Sequence, residues 1–378
     1  MPANSDFEQM EQDTRWCTCD VLVVGAGLVG AAVAAKLVTE GLNVAVLEPT
    51  QAIGGATERA VGLVPTGLPM PFAQAVQQYE RSVAQALWQL TIDNRASLTS
   101  AADRLGVELE RPGSLVLASS PAEADLLRSS AELLSEDGIS AEYQDRDPLG
   151  RGFTAALYYP DDVVVDSAAL AKRLFEAHKV AVRTGSEVYA LQQAGDDVLV
   201  LAHGSTIKVS TVVLTVDAYA PLIDAYFADK VAPVCGYTLT TYPLDQQLVS
   251  IPGNAGPFSF RQRKDGRLVF TAWSRQYEIA AAGPDDNSSE VDLMRFVGQH
   301  FPEARREFAQ REPSIMGMSA DGLPLIGALP LLPQVFFAVG FAGLGLSLAF
   351  AAADLLTGLI VRGAEPELLS DRRLDKPH

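Results

Sequence analysis

The sequence predicts an α/β protein in two parts. One part carries a parallel sheet wrapped by helices, and the other is built mostly on antiparallel strands. Three observations lead there. Residues 21–24 (VLVV) and 43–47 (NVAVL) are short apolar runs rich in β-branched residues, the composition of strands buried on both faces. The stretch 31–39 between them is rich in Ala, Leu and Lys, a good helix former that Gly41 stops. Much later, residues 231–244 alternate in the manner of a half-buried strand and begin a run of further strands.

Between strand and helix lies Gly25-Ala26-Gly27-Leu28-Val29-Gly30. Each glycine has a physical job in a Rossmann-type dinucleotide site. Gly25 permits the tight turn, Gly27 lets a pyrophosphate approach the backbone, and Gly30 lets helix and strand pack closely. The N–H groups of Leu28 and Val29 and the positive end of the helix dipole then face the phosphates. Glu48 ends the second strand, eighteen residues after Gly30. A carboxylate there accepts hydrogen bonds from ribose hydroxyls and repels a 2′-phosphate, which disfavours NADP. The alternative is an ordinary βαβ unit with a glycine-rich turn.

The next segments follow in order. Residues 49–62, PTQAIGGATERAVG, hold Pro49, Ala56, Thr57 and Arg59 and have the small residues to fold over a phosphate. Residues 67–71 form a loop, and residues 72–105 predict a long helical region. Residues 106–110 and 113–118 predict two strands of a separate, antiparallel sheet. A helix over 121–135 ends at Gly138, and another spans 167–178. Strands over 180–185 and 187–191 include Val188, and a hairpin holds Val198, Ile207 and Val209. Residues 211–218 form a strand carrying Thr215 and Val216. In the second part, strands over 259–261 and 266–273 are joined by the turn Lys264-Asp265-Gly266. A helix over 290–301 stops at Pro302.

Residues 335–353 form a nineteen-residue uncharged run, long enough to raise a membrane span. Gly340, Gly343 and Gly345 interrupt it, so it divides better into a buried strand, a glycine turn and a buried helix. Just before it stands Asp321-Gly322-Leu323-Pro324-Leu325-Ile326-Gly327.

The chain has 378 residues, 48% of them apolar, enough for two domains. It carries 29 basic and 47 acidic residues, a net charge of −18. That balance excludes nucleic acid and anionic membranes as main partners and weakly favours a cationic substrate. Cys17, Cys19 and Cys235 make no disulfide framework, and His178, His203, His300 and His378 are scattered, so no metal site is expected. Residues 1–19 predict a flexible acidic tail without signal or transit character, consistent with the cytoplasm.

The segments at 20–62 and 316–349 together resemble the D-amino acid oxidase-like superfamily of FAD-dependent oxidoreductases, which includes glycine oxidase, sarcosine oxidase and γ-glutamylputrescine oxidase. The resemblance implies noncovalent FAD, since no histidine stands in residues 49–62 to attach it. It implies oxidation of a C–N bond in an amine or amino acid by hydride transfer to flavin, with oxygen or another acceptor reoxidising it. An alternative is an FAD-binding subunit of a hetero-oligomeric dehydrogenase. Homo- and hetero-oligomers both stay open. The FAD domain would comprise 20–78, 145–220 and 315–378, and the substrate domain 79–144 and 221–314.

By resemblance, Gly340, Gly343, Leu344, Gly345, Leu346 and Ser347 stabilise negative charge on the flavin, with Phe341 where the family has His. Asp321 and Gly322 form a turn nearby. Val188 meets adenine through its backbone. Thr215-Val216-Asp217 replaces the usual Ala-Thr-Gly or Ala-Thr-Asn. Arg59 either meets the flavin or faces pyrophosphate and solvent. Tyr237 and Trp273 either wall the substrate or pack in the sheet. Met316 stands where the amino-acid oxidases hold a carboxylate-clamping Arg, which tilts the expected substrate from amino acid to amine. Arg261 and Arg275 are the other candidates for a clamp.

Overall fold

The computed structural model describes residues 19–273, 288–305 and 308–375. The tail predicted over 1–19 and Arg275 thus fall, but for Cys19, outside the described residues.

The first body is a six-stranded sheet. Its order is Leu325–Leu329, Leu332–Val339, Thr211–Leu214, Val21–Val24, Val44–Leu47 and Ala181–Arg183. All neighbours are parallel except the edge strand Leu325–Leu329. The apolar runs behave as their composition demands: every residue of Val21–Val24 and Val44–Leu47 is buried. Val21 and Val23 face a core shared with helices Leu28–Thr39, Ser167–Ala177 and Gly345–Arg362. Leu22 and Val24 face the opposite core, covered by the antiparallel strands Val188–Ala194, Asp197–Ala202 and Ser205–Val209.

The second body is an eight-stranded sheet. It runs Phe308–Ser319, Val231–Thr241, Leu268–Trp273, Phe258–Gln262, Gly253–Ala255, Ser114–Ala118, Ala155–Tyr159 and Glu142–Gln144. Only Gly253–Ala255 and Ser114–Ala118 pair in parallel. Its outer face packs on helix Ser288–His300 through Leu239, Phe260, Phe270 and Phe296. Ala155–Tyr159 lies in the sequence segment expected for the first body, yet its hydrogen bonds go to Ser114–Ala118.

Two local expectations change. The helical region 72–105 is two helices, Phe72–Tyr79 and Arg81–Leu105, broken where Glu80 takes φ +67°. No Gly or Pro marks that break, so periodicity runs through it. Residues 106–110 and 113–118 do not share a sheet. Leu109–Glu110 joins the small sheet with Val163–Val165 and Leu63–Val64, whereas Ser114–Ala118 enters the large one. Gly113, at φ +72° with the Tyr158 ring against it, turns the chain between them.

The small sheet sits beside a buried polar hub. The Asp162 carboxylate accepts from the Thr66 N–H (3.0 Å) and hydroxyl (2.6 Å), Ser114 Oγ (2.7 Å) and Arg95 Nη1 (2.7 Å). Loop, helix and large sheet are thereby joined at one fully satisfied charge.

Candidate FAD site

The glycine turn is as tight as its sequence requires. Gly25 has φ +109°, and a Cβ there would stand 2.7 Å from the Thr215 carbonyl oxygen. A Cβ on Gly30 would stand 2.0 Å from the Gly25 carbonyl oxygen. Neither position tolerates a side chain. Gly27 opens helix Leu28–Thr39, which has no cap from its own N-terminal side chain. Thr57 supplies one instead: its Oγ1 accepts the Leu28 N–H at 3.0 Å. Thr57 is held in turn by the Ser167 hydroxyl, which donates to its carbonyl at 2.6 Å. Thr215 Oγ1 donates to the Val24 carbonyl at 3.0 Å, tying the two central strands at their ends.

Glu48 faces this turn. Its Oε2 accepts the Ala26 N–H at 2.9 Å, and its Oε1 accepts the Thr50 hydroxyl at 3.0 Å. The Ser186 N–H donates to the Glu48 carbonyl at 2.9 Å, which brings the chain entering Val188 alongside. Gly25, Gly27, Leu28, Gly30, Glu48, Thr57 and Thr215 are therefore brought together. Val29 follows Leu28 in the first helical turn, Val216 follows Thr215 at the strand end, Pro49 lies exposed on the adjoining loop, and Ala56 is exposed at the start of a short helix.

A second glycine turn lies between strand Leu332–Val339 and helix Gly345–Arg362. Gly340, Ala342 and Gly343 all have positive φ, at +71°, +51° and +82°. Asp217 organises it. Its carboxylate accepts the Phe341 N–H at 2.8 Å and the Gly317 N–H at 2.7 Å. Burial pushes this carboxyl up, against the pull of the backbone N–H groups of Gly317, Phe341, Gly340 and Ala218. The Ala342 N–H closes the junction on the Gly317 carbonyl at 2.8 Å. Met316 is buried here, its Sδ 3.5 Å from where a Cβ on Gly343 would stand. Leu344 ends the turn without a side-chain cap on the helix, so the N–H groups of Gly345, Leu346 and Ser347 begin an uncapped helix. Phe341 is buried.

Strand alternation decides which side chains of the large sheet face these turns. Val234 lies opposite Met316, and Thr238 Oγ1 donates to the Arg59 carbonyl at 3.5 Å. The even-numbered residues of Val231–Thr241 thus face inward. Tyr237 does not: it packs with the outer core beside Leu239 and Phe296. Burial raises its pKa, with Glu290 adding to the effect. The aromatic wall expected from Tyr237 is corrected on this point, because one residue of offset in a strand reverses the face. Trp273 stays inside, its ring lying over Gly236. Arg59 ends the short helix Ala56–Arg59, and its Nε is buried without a hydrogen-bond partner, as is Ser314 Oγ on the inner face.

Asp321 and Gly322 do form a turn, but the carboxylate is engaged elsewhere. Arg373 grips it with Nε–Oδ2 2.6 Å and Nη2–Oδ1 2.9 Å. Burial is the largest single effect and opposes ionisation, yet the hydrogen bond and charge of Arg373 together with backbone N–H groups outweigh it and hold this carboxyl below the usual range. Arg373 and Asp217 are the residues that sequence reasoning missed; only the unusual Asp217 after Thr215-Val216 hinted at either.

The family model of the FAD dependent oxidoreductases (DAO) matches residues 20–359. The chain belongs to this family. It is an FAD-dependent oxidoreductase. A glycine oxidase of Bacillus licheniformis is 22% identical over 364 residues, covering 90% of this chain and 93% of the relative. A D-amino acid dehydrogenase of Vibrio cholerae is 21% identical over 312 residues, covering 77% and 70%. The crystal structure of a glycine oxidase from Geobacillus kaustophilus superposes with TM-score 0.78 at 22% identity, covering 93% of this chain and 98% of that one.

The residues present fit FAD. Both glycine positions that a Cβ would block open onto a helix start, and Glu48 stands at the adjacent strand end. Gly27, Val29 and Gly30 would hold the pyrophosphate, joined by Leu28 once its N–H leaves Thr57, and Glu48 would hold the ribose.

Proposed function

We propose that this flavoprotein oxidises the C–N bond of an amine whose reacting carbon carries no carboxylate. The amine and amino-acid class is supported by the relatives, whose names are glycine oxidase and D-amino acid dehydrogenase. The narrower reading rests on one observation: an apolar, buried Met316 beside Gly343. A carboxylate brought there without a guanidinium would lose its hydration with no bidentate partner. Arg261 is no replacement for a small substrate. It pairs with Val269, which pairs with Thr240, six residues along the strand from Val234. That offset is about 20 Å along the strand.

FAD held at Gly27, Leu28, Val29, Gly30 and Glu48 would supply the hydride acceptor for the carbon bearing nitrogen. The chain's own residues orient the amine, exclude water and present backbone N–H groups at a helix start to developing negative charge. Noncovalent attachment belongs to the proposal, because residues 49–62 hold no histidine. Acid precipitation should leave the yellow colour in the supernatant, and a yellow pellet would refute it.

Anaerobic rapid mixing with an alkylamine and its α-carboxylated analogue tests the substrate. The amine should reduce the flavin faster across several pairs. Met316→Arg should shift preference toward the amino acid by about ten- to a hundredfold, the worth of a charge-assisted pair. Faster reduction by the amino acid in the unaltered protein overturns the reading. Peroxide formation in air distinguishes oxygen from another acceptor.

A further inference from the structure

Away from both glycine turns, a cleft of about 390 Å³ opens between residues 244–252 and residues 261–266. Arg261 and Arg263 both line it. Arg261 lies in strand Phe258–Gln262 and Arg263 just past its end, two residues on. The Nε of each is buried and has no hydrogen-bond partner. The ion pair nearest to forming on Arg261 reaches Glu110 at 4.0 Å, beyond hydrogen-bond distance. Lys264 is taken by Glu108.

The cleft wall is preformed. Gln262 Oε1 accepts the N–H groups of Leu248 and Val249 at 2.6 and 3.1 Å. Its Nε2 donates to the carbonyls of Gln246 and Gly266 at 2.9 and 3.0 Å. These four bonds pin the loop against the strand and fix the spacing of the two guanidinium stems.

We propose that this cleft binds a small oxyanion, a carboxylate or a phosphate group, between the forks of Arg261 and Arg263. Two cations held close together with unmade hydrogen bonds are unfavourable unless an anion joins them. Among the described residues, no acidic side chain makes a hydrogen bond to either guanidinium, and Glu110 stands 4.0 Å from Arg261. Burial first and Arg263 second lower the Arg261 pKa, which is the electrostatic tension an anion would relieve. The guanidinium fork matches both carboxylate and phosphate bidentately. Gln247 and Ser250 line the same space. Glu110 and Asp245 also line it and oppose an anion, so selectivity falls to the two forks.

The test uses the FAD-loaded protein, so that the pyrophosphate cradle is filled. Inorganic phosphate and succinate are titrated by calorimetry and by thermal melting, with sodium chloride at matched ionic strength as control. One of them should bind saturably and raise Tm, and which one does so assigns phosphate or carboxylate. Arg263→Gln should weaken that binding about tenfold or more while the ligand-free melting curve stays near that of the parent. No saturable heat with either anion, or affinity unchanged in both Arg263→Gln and Arg261→Gln, overturns the proposal. Neither result depends on which amine reduces the flavin.

Discussion

Glu48 does two jobs at one carboxylate. It accepts the Ala26 N–H inside the glycine turn and the Thr50 hydroxyl outside it. With FAD bound, we propose that the same group would take the ribose. Glu48→Ala should therefore weaken FAD binding by roughly 1–3 kcal/mol, the scale for hydrogen bonds to a charged group. Titration of apoprotein with FAD measures it, and an unchanged dissociation constant sinks the ribose assignment. Its place in the fold was legible because a βαβ unit is local: the spacing from Gly25 to Glu48 puts turn, helix and acid in one stretch. Asp217 and Arg373 were not. Asp217 bonds Gly317, a hundred residues away, and no period in the sequence announces such a pair. Tyr237 failed for a smaller reason, since only the true register tells which of Tyr237 and Thr238 faces inward.

At the scale of elements, the C-terminal helix is the case where pattern and packing meet. Gly345–Arg362 is long and apolar enough to cross a membrane by composition. Here it packs against helices Leu28–Thr39 and Arg81–Leu105 beneath the parallel sheet. The glycines that divide the apolar run made this readable. Its fixing point was not readable. Asn94, in the middle of helix Arg81–Leu105, is buried. Its Nδ2 donates to the Leu346 carbonyl at 2.9 Å, and its Oδ1 accepts the Phe350 N–H at 2.9 Å. Leu346 and Phe350 are four residues apart, so the side chain clasps one turn of the helix. In sequence Asn94 looks like one more polar position on a solvent-facing helix. Asn94→Leu removes both of these bonds at a buried position and should cost about 1–3 kcal/mol. Because Leu346 lies in the first helical turn, the loss should be larger for the FAD-loaded protein than for the apoprotein in urea unfolding. Equal losses would mean that Asn94 serves stability alone.

For the whole molecule, the two-part architecture was visible in the switch from buried apolar runs to alternating strands. The pairing order was not, because contacts such as Gly253 with Leu115 close very long loops. One such closure sets a pH dependence. Arg373, from the short helical segment Asp371–Asp375, grips Asp321 and the carbonyls of Leu323 and Pro324, docking that segment on edge strand Leu325–Leu329. Docking covers a strand edge that would otherwise offer unpaired backbone. Asp321 has its pKa lowered in the folded state, burial being overcome by Arg373 together with backbone N–H groups. A depressed carboxyl contributes stability above its unfolded pKa and loses it as pH falls through the folded one. The contribution is thus whole at neutral pH and fades below about pH 4, the ordinary carboxylate range. Asp321→Asn should cost about 1.5–3 kcal/mol at neutral pH, toward the lower end because the pair is partly exposed. Urea unfolding of parent and variant across the acid range measures the difference. It should shrink steadily as the parent's Asp321 takes up its proton. A gap that stays constant down the pH series would show that Arg373 holds the segment through its carbonyl contacts, with the carboxylate charge making no contribution.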